Sequence, residues 1–338
     1  MKVLVTGASG MLGRAVATSL LARGDEVTVL QRSSAGLPGA REVLGSVDDP
    51  DAVEIACTGQ EAVIHLAAKV SFTGPAEDFQ RINIRGTWLL LDGARRAGAT
   101  RFVQVSSPSV AHTGGSLVCQ GAGPADPLLA RGSYARTKAV AELEALGADG
   151  PGFAVVAVRP HIVWGPGDTQ LVQRVVDRAA AGRLPLIGSG APLVDTTYVD
   201  NAAAALVAAL DRAEDAHGEA FVVTNGEPRP VRDIMCAWCR AAGVRPPAWS
   251  VPPRAARLAG AVVEAAWTLL PEQVTAGDEP PMTRFLAEQL STAHWFDLRR
   301  TREALSWAPE VSFDDGVARL ADFYAQRAGT AVATDAAR

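Results

Sequence analysis

The sequence predicts an α/β fold in which a doubly wound parallel sheet is joined to a smaller, mainly helical second domain. Three observations lead there. A glycine-rich turn, TGASGMLG, joins a short apolar run to a helical pattern at the amino terminus. Apolar β-branched runs then alternate with helical periodicity as far as Pro166. A Tyr-x-x-x-Lys pair, Tyr134 and Lys138, opens one of the later helices.

Taken in order, KVLVT reads as a buried strand and the glycines that follow it are Gly7, Gly10 and Gly13. Gly7 permits the tight turn, Gly10 lets the backbone approach a pyrophosphate, and Gly13 lets the helix pack closely on the strand. The phosphates are expected at the positive end of the helix that starts with Met11 and Leu12. Because the triplet follows a strand, opens a helix and leads to a second strand, EVTVLQ, it reads as the dinucleotide turn of a Rossmann sheet. That second strand ends in Gln31, Arg32 and Ser33, where an NAD enzyme usually offers a carboxylate to the ribose hydroxyls. An arginine there suits a 2′-phosphate, so NADP(H) is favoured and NAD(H) is the alternative.

The runs AVIHLAA, RFVQVSS and FAVVAVRP continue the parallel sheet, with a helix through FQRINIRGTWLLLDGARRAG between the first two. Ligands bind such sheets beyond the carboxyl ends of the strands, which places the chemistry after Thr6, Gln31, Leu66, Val105 and Val158. The expected division is a Rossmann domain over 1–166, with a returning segment at about 194–225 that ends in the strand EAFVVT. A substrate-binding part is expected over 167–193 and 226–326, and a disordered tail over 327–338.

Tyr134 and Lys138 stand four residues apart in SYARTKAVAE, which puts both on one helical face. The chain of 338 residues holds three tyrosines and three lysines, Lys2, Lys69 and Lys138, its other basic residues being arginine. A lysine at this position suits a site that wants a compact ammonium. Beside a phenol whose ordinary pKa is about 10, the ammonium is expected to favour the phenolate and draw that pKa down. The pair can then exchange a proton with a carbonyl oxygen.

Composition narrows the classes further. A formal charge of −5 without basic runs argues against nucleic acid. The chain enters a strand at once, so no signal peptide and a cytoplasmic location are expected. No apolar run is long enough to span a bilayer. Leu258 to Leu270 comes nearest; a plain buried helix is expected there, with a lid over an apolar pocket or a peripheral membrane contact as alternatives. Cys236 and Cys239 form a C-x-x-C without a second pair or a βαβ start, so they read as two helix thiols and no metal site is expected.

With TGASGMLG, HLAA, VSSPSV, YARTK and RPHIVWGPGD in this order, the chain resembles an extended short-chain dehydrogenase/reductase of the 3β-hydroxysteroid dehydrogenase family. The resemblance implies a catalytic set of Ser107, Tyr134 and Lys138, with Ser107 holding the substrate oxygen and Ser106 its neighbour. It places Ala67 and Asn83 on the cofactor side with Tyr134 and Lys138, and lets HIVWGPGD pass the nicotinamide. His65 is expected to be a satisfied core histidine, and Asn83 has the alternative of bonding back to its own helical turn. Ser46 stands where the family often has an adenine-side aspartate.

Further stretches, QRS, LVDTTYVDNAA, TNGEPRP and PPMTRFLAEQLSTAHWF, imply by resemblance a substrate with a carboxylate, a β-carbonyl and long alkyl chains. The implied reaction is reversible reduction of a long-chain β-keto acid within bacterial olefin biosynthesis. Leu258 to Leu270, Trp267 and Phe285 would form the apolar lid. A homodimer is implied, with a membrane or pathway-enzyme association as a further partner. The alternatives are a 3β-hydroxysteroid or sterol-4-carboxylate dehydrogenase and a non-catalytic NADP(H)-sensing regulator.

Overall fold

The computed structural model describes residues 1–71, 74–112, 114–269 and 284–335. Seven strands form its main sheet: β1 (Lys2–Thr6), β2 (Glu26–Gln31), β3 (Arg41–Leu44), β4 (Ala62–His65), β5 (Arg101–Val105), β6 (Ala154–Pro160) and β7 (Ala220–Val223). Their spatial order is β3-β2-β1-β4-β5-β6-β7, and every neighbouring pair is parallel. All four residues of β4 and all seven of β6 are buried. Such strands are apolar on both faces because helices cover both.

The covering helices are α1 (Met11–Ala22), α2 (Pro50–Cys57), α3 (Gly86–Arg96), α4 (Gly132–Gly147) and α5 (Val199–Asp211). Side chains alternate across each strand, so β1 sends Val3 and Val5 to one core and Leu4 to the other. The first core packs Val16 and Leu20 of α1 with Leu206 and Leu210 of α5. The second packs Val53 of α2, Leu90 of α3 and Ala145 of α4. Helix α2 starts where Asp49 accepts from the Asp51 amide and Pro50 fills the first position, a strong local stop for the preceding loop.

The sheet order reverses between β1 and β4, and the site lies at this switch and along the carboxyl ends of β5 and β6. A second sheet, ordered Arg229–Pro230, Leu193–Val194, His294–Phe296 and Leu117–Gln120, draws the carboxyl-terminal half against the loop after β5. Beside it a third core gathers Trp164, Tyr198, Trp238 and Phe313.

Two expectations are corrected. Residues 327–335 are not a disordered segment, because the helix Phe313–Asp335 continues through them. The helix established at Phe313 propagates through them, each added residue closing one more backbone hydrogen bond. Nor is the run from Leu258 a plain buried helix. It lies on the helix Pro253–Leu269, where Leu258 and Val262 are 69% and 61% exposed and the small residues Ala256 and Gly260 face inward. Apolar composition does not fix burial here: within residues 258–263 the helix turns Leu258 and Val262 outward. The side chains of Trp267 and Phe285 lie outside the described part.

Candidate active site

Gly7 has φ +77°, and its amide closes onto Leu30 at the end of β2. A Cβ on Gly13 would lie 2.3 Å from the Gly7 carbonyl oxygen, so only glycine lets α1 cross the turn this closely. Gly10 caps α1 without a side-chain hydrogen bond, and no acidic residue stands in the first turn. The first amides, those of Met11 and Leu12 among them, therefore form a neutral-loop, positive-dipole cradle for a pyrophosphate. The side chains of Met11 and Leu12 instead pack on the flanking cores.

At the adenosine end Arg32 and Ser33 are exposed and Gln31 is buried, its amide nitrogen 3.1 Å from Glu42. Glu42 is a carboxylate that inspection of β2 alone misses. It accepts from the Ser34 hydroxyl and the amides of Ala35 and Gly36, and the Ser34 bond holds it below the usual carboxylate range. These bonds occupy Glu42 in shaping the loop. Arg14 was also missed; its guanidinium donates to the Ala35 carbonyl across the same loop. The signal available was an arginine directly after Gly13. Ser46 donates to Asp48, which pairs with Arg81, so the acidic residue near the third strand is two positions on and engaged.

On the other side of the switch, Thr6 and His65 close the ends of β1 and β4. The Thr6 hydroxyl is 2.7 Å from His65 Nδ1 and accepts from the amides of Leu66 and Ala67. Since Thr87 donates to the Asn83 carbonyl, its oxygen accepts from His65 Nε2 at 3.0 Å. Both ring nitrogens are thus satisfied, and burial depresses the His65 pKa to about 3. His65 is the core histidine expected, and it places the Ala67 backbone beside Gly7.

Asn83 lies in a π-helical stretch, Gln80–Arg85, that leads into α3. It does not bond back to its own turn. Its oxygen accepts from the Lys69 amide at 2.7 Å, and its nitrogen donates to the Lys69 carbonyl and, at 3.0 Å, to Thr137 Oγ1. The wide turn aims this amide across to α4, so Asn83 fastens the loop after β4 between Tyr134 and Lys138.

The structure brings Ser107, Tyr134 and Lys138 together. Ser107 leaves β5 and caps the short helix Pro108–Ala111, accepting from the amide and hydroxyl of Ser109. Its hydroxyl also acts on the Tyr134 phenol, in the direction that lowers the phenol's pKa. Ser106 is turned elsewhere: its amide continues the sheet to Val158, and its hydroxyl has no partner among the described residues. Lys138 is 3% exposed and donates to the Val105 carbonyl at 2.5 Å.

The expected lowering of the Tyr134 pKa by Lys138 is corrected. Burial pushes the phenol up, with the Ser107 hydroxyl pulling the other way, and the ammonium is directed to the end of β5. Burial also draws Lys138 down to about 8, opposed by Glu142 one turn further along α4. A phenol held protonated beside a cation is suited to giving up a proton to a developing alkoxide.

Three histidines that sequence inspection did not assign form one wall of this region. His112, His161 and His294 are all buried, with ring centroids 4.8 Å apart for His112 and His294 and 5.9 Å for His161 and His294. Burial holds His161 near 4 and His294 near 3, so the wall is neutral. Their separation in sequence, and their meeting only through the second sheet, left no local signal. The chain then turns through Ile162, whose φ of +46° is a strained conformation for a β-branched residue. Trp164 follows and belongs to the third core.

A glycine cradle at the switch of a parallel sheet and a tyrosine, serine and lysine at the ends of β5 and α4 define an NAD(P)-dependent oxidoreductase. The chain belongs to the NAD dependent epimerase/dehydratase family, whose model matches residues 3–224. The 2-alkyl-3-oxoalkanoate reductase of Stenotrophomonas maltophilia is 38% identical over 329 residues, covering 95% of this chain and 98% of that protein. The 3-beta-hydroxysteroid dehydrogenase of Mycolicibacterium neoaurum is 29% identical, covering 99% of this chain and 94% of that protein. A dTDP-glucose 4,6-dehydratase from Streptomyces venezuelae, solved with NAD, matches with a TM-score of 0.74 at 23% identity over 97% of this chain and 98% of its own, a likeness of fold.

Proposed function

We propose that the protein reduces the 3-oxo group of a long-chain 2-alkyl-3-oxoalkanoate, with NADPH as the preferred cofactor. The observation that carries this reading is the placing of Ser107 just after β5 and of Tyr134 and Lys138 on the helix beside it, with Lys138 on the Val105 carbonyl, in a chain 38% identical to the Stenotrophomonas reductase over nearly its whole length. The glycine cradle, which an added Cβ at Gly13 would fill, fits a dinucleotide. When bound, the nicotinamide supplies hydride chemistry.

The protein's own groups manage the oxygen. Ser107 positions the carbonyl by donating to it, Tyr134 delivers the proton as negative charge develops, and the Lys138 ammonium stabilises the phenolate left behind. The reverse sequence would oxidise a β-hydroxy acid. Such a product carries a hydroxyl β to a carboxylate, a pattern suited to later loss of both groups and formation of an alkene, which supports a place in olefin biosynthesis. Arg32, exposed and unopposed by a free carboxylate at the end of β2, supports the 2′-phosphate preference, and Arg14 adds a second cation nearby.

A steroid substrate is the second reading, favoured by the similarity to the Mycolicibacterium dehydrogenase. The deciding experiment follows cofactor absorbance with purified protein, NADPH or NADH, and a panel of 2-alkyl-3-oxo acids, 2-alkyl-3-hydroxy acids and 3β-hydroxysteroids. Turnover of the long-chain acids with NADPH is expected. Turnover confined to the steroids would replace this reading with the second.

A further inference from the structure

One helical turn beyond Lys138 a carboxylate is buried together with a guanidinium partner. Glu142 and Arg159 retain 1% and 2% side-chain exposure. Arg159, near the end of β6, donates from Nε to Glu142 Oε2 at 2.8 Å and from a terminal nitrogen to the other carboxylate oxygen. Its remaining terminal nitrogen donates to the Gly123 carbonyl at 2.7 Å. Gly123 lies in the loop that, with Pro108 and Phe296, lines a cavity of about 220 Å³ beside the site. Tyr134, Lys138 and Glu142 succeed one another at four-residue intervals along α4, so they form a single row on one face.

A buried ion pair is weak support for a fold, since well-packed apolar residues in its place are often as stable. Its placement here has a different consequence. The carboxylate, held by the fork of Arg159 coming from the sheet, is the negative end of the pair and stands one helical turn from the ammonium.

We propose that Glu142, clamped by Arg159, is the positioning residue that keeps Lys138 charged while it is buried behind Tyr134. This rests on the reading above in giving Lys138 a role in turnover, but the charge relation itself does not require the substrate to be known. The groups that bear on Lys138 from the packed elements are few. On α4 they are Tyr134 and Glu142. From β4 comes His65, neutral and already satisfied, and from β5 the Val105 carbonyl; Arg159 of β6 is engaged with Glu142. Glu142 is the only anion of this set. It acts against the burial that draws the Lys138 pKa down to about 8.

The test uses the whole protein labelled with ¹³C at lysine Cε. With only three lysines in the chain, Lys138 can be followed beside Lys2 and Lys69 as internal controls. In the unaltered protein Lys138 should titrate near 8. Glu142→Gln should move its midpoint down by about one unit or more, since it removes a nearby charge and leaves Arg159 unopposed. Glu142→Leu combined with Arg159→Met restores an apolar interior and should move the midpoint down by less, with a thermal midpoint close to the starting protein. If Glu142→Gln does not fold, this double variant decides.

The alkaline limb of the pH profile for reduction should follow the same order, while a merely structural pair would leave the profile in place once the fold is restored. A Lys138 midpoint unchanged in every folded variant overturns the proposal. Because the titration is read without substrate, that outcome is distinct from a failure to find activity on oxo acids.

Discussion

At the scale of single residues, the proton donor and the cofactor cation are the most exposed to test. Tyr134 lies on α4, outside the glycine turn, so its removal leaves that cradle intact. Tyr134→Phe should therefore keep nucleotide binding, measured by fluorescence titration, and lose roughly two to four decades of turnover. Near-normal turnover would remove Tyr134 from the role of acid. Arg32 has no carboxylate competing for it, because Glu42 is engaged with Ser34, Ala35 and Gly36. Arg32→Ala should weaken NADPH by roughly ten- to a hundredfold and leave NADH almost unchanged. Equal losses for both would show that Arg32 does not read the 2′-phosphate.

At the scale of elements, the strand ends and the second sheet hold buried neutral histidines, and this has a consequence for acid stability. His65, His161 and His294 have folded pKa values near 3, 4 and 3, each depressed first of all by burial. Below about 6.5 the unfolded chain binds protons that the fold excludes, so their stabilising contribution is complete above that value and is lost as pH falls toward 4. Asp195, raised by burial to about 6, works in the opposite sense, its contribution being lost as pH rises through 6. With three groups against one, the thermal midpoint should fall between pH 7 and pH 4.5, and His294→Phe should flatten part of that fall. A midpoint that stays level across this range would mean that the histidines are solvated.

At the scale of the whole molecule, we propose that the substrate enters between the sheet ends and the carboxyl-terminal helices, including Pro253–Leu269. If that region receives alkyl chains, each buried methylene contributes about 0.8 kcal/mol, and four more should raise kcat/KM by roughly two decades. The series should be run with 2-alkyl-3-hydroxy acids below their aggregation limits. A flat series with efficient steroid turnover would favour the second reading. The homodimer we propose would use the outer face of α3 and α4, where Trp88 and Leu143 are 55% and 47% exposed beside a groove lined by Gln80, Ile84 and Glu144. Light scattering should find a dimer that Trp88→Glu dissociates, and an unchanged mass would move the interface elsewhere. Among the described residues no helix is long and apolar enough to cross a membrane.

The sequence by itself determined the glycine turn, the order of the buried strands and the pairing of Tyr134 with Lys138, because each depends on spacings of a few residues or on an unbroken apolar run. The family resemblance pointed to Ser107 rather than Ser106, and His65 was legible as a core residue. Only the tertiary structure decided what surrounds these groups. Glu42 reaches the end of β2 from a neighbouring strand, Asn83 reaches α4 through a π-helical turn, and Arg159 meets Glu142 across the gap between β6 and α4. His112, His161 and His294 meet because two sheets bring distant segments together. The direction of the Tyr134 shift was decided there as well, since a pKa depends on burial and on where the ammonium finds its acceptor, and helical spacing carries neither.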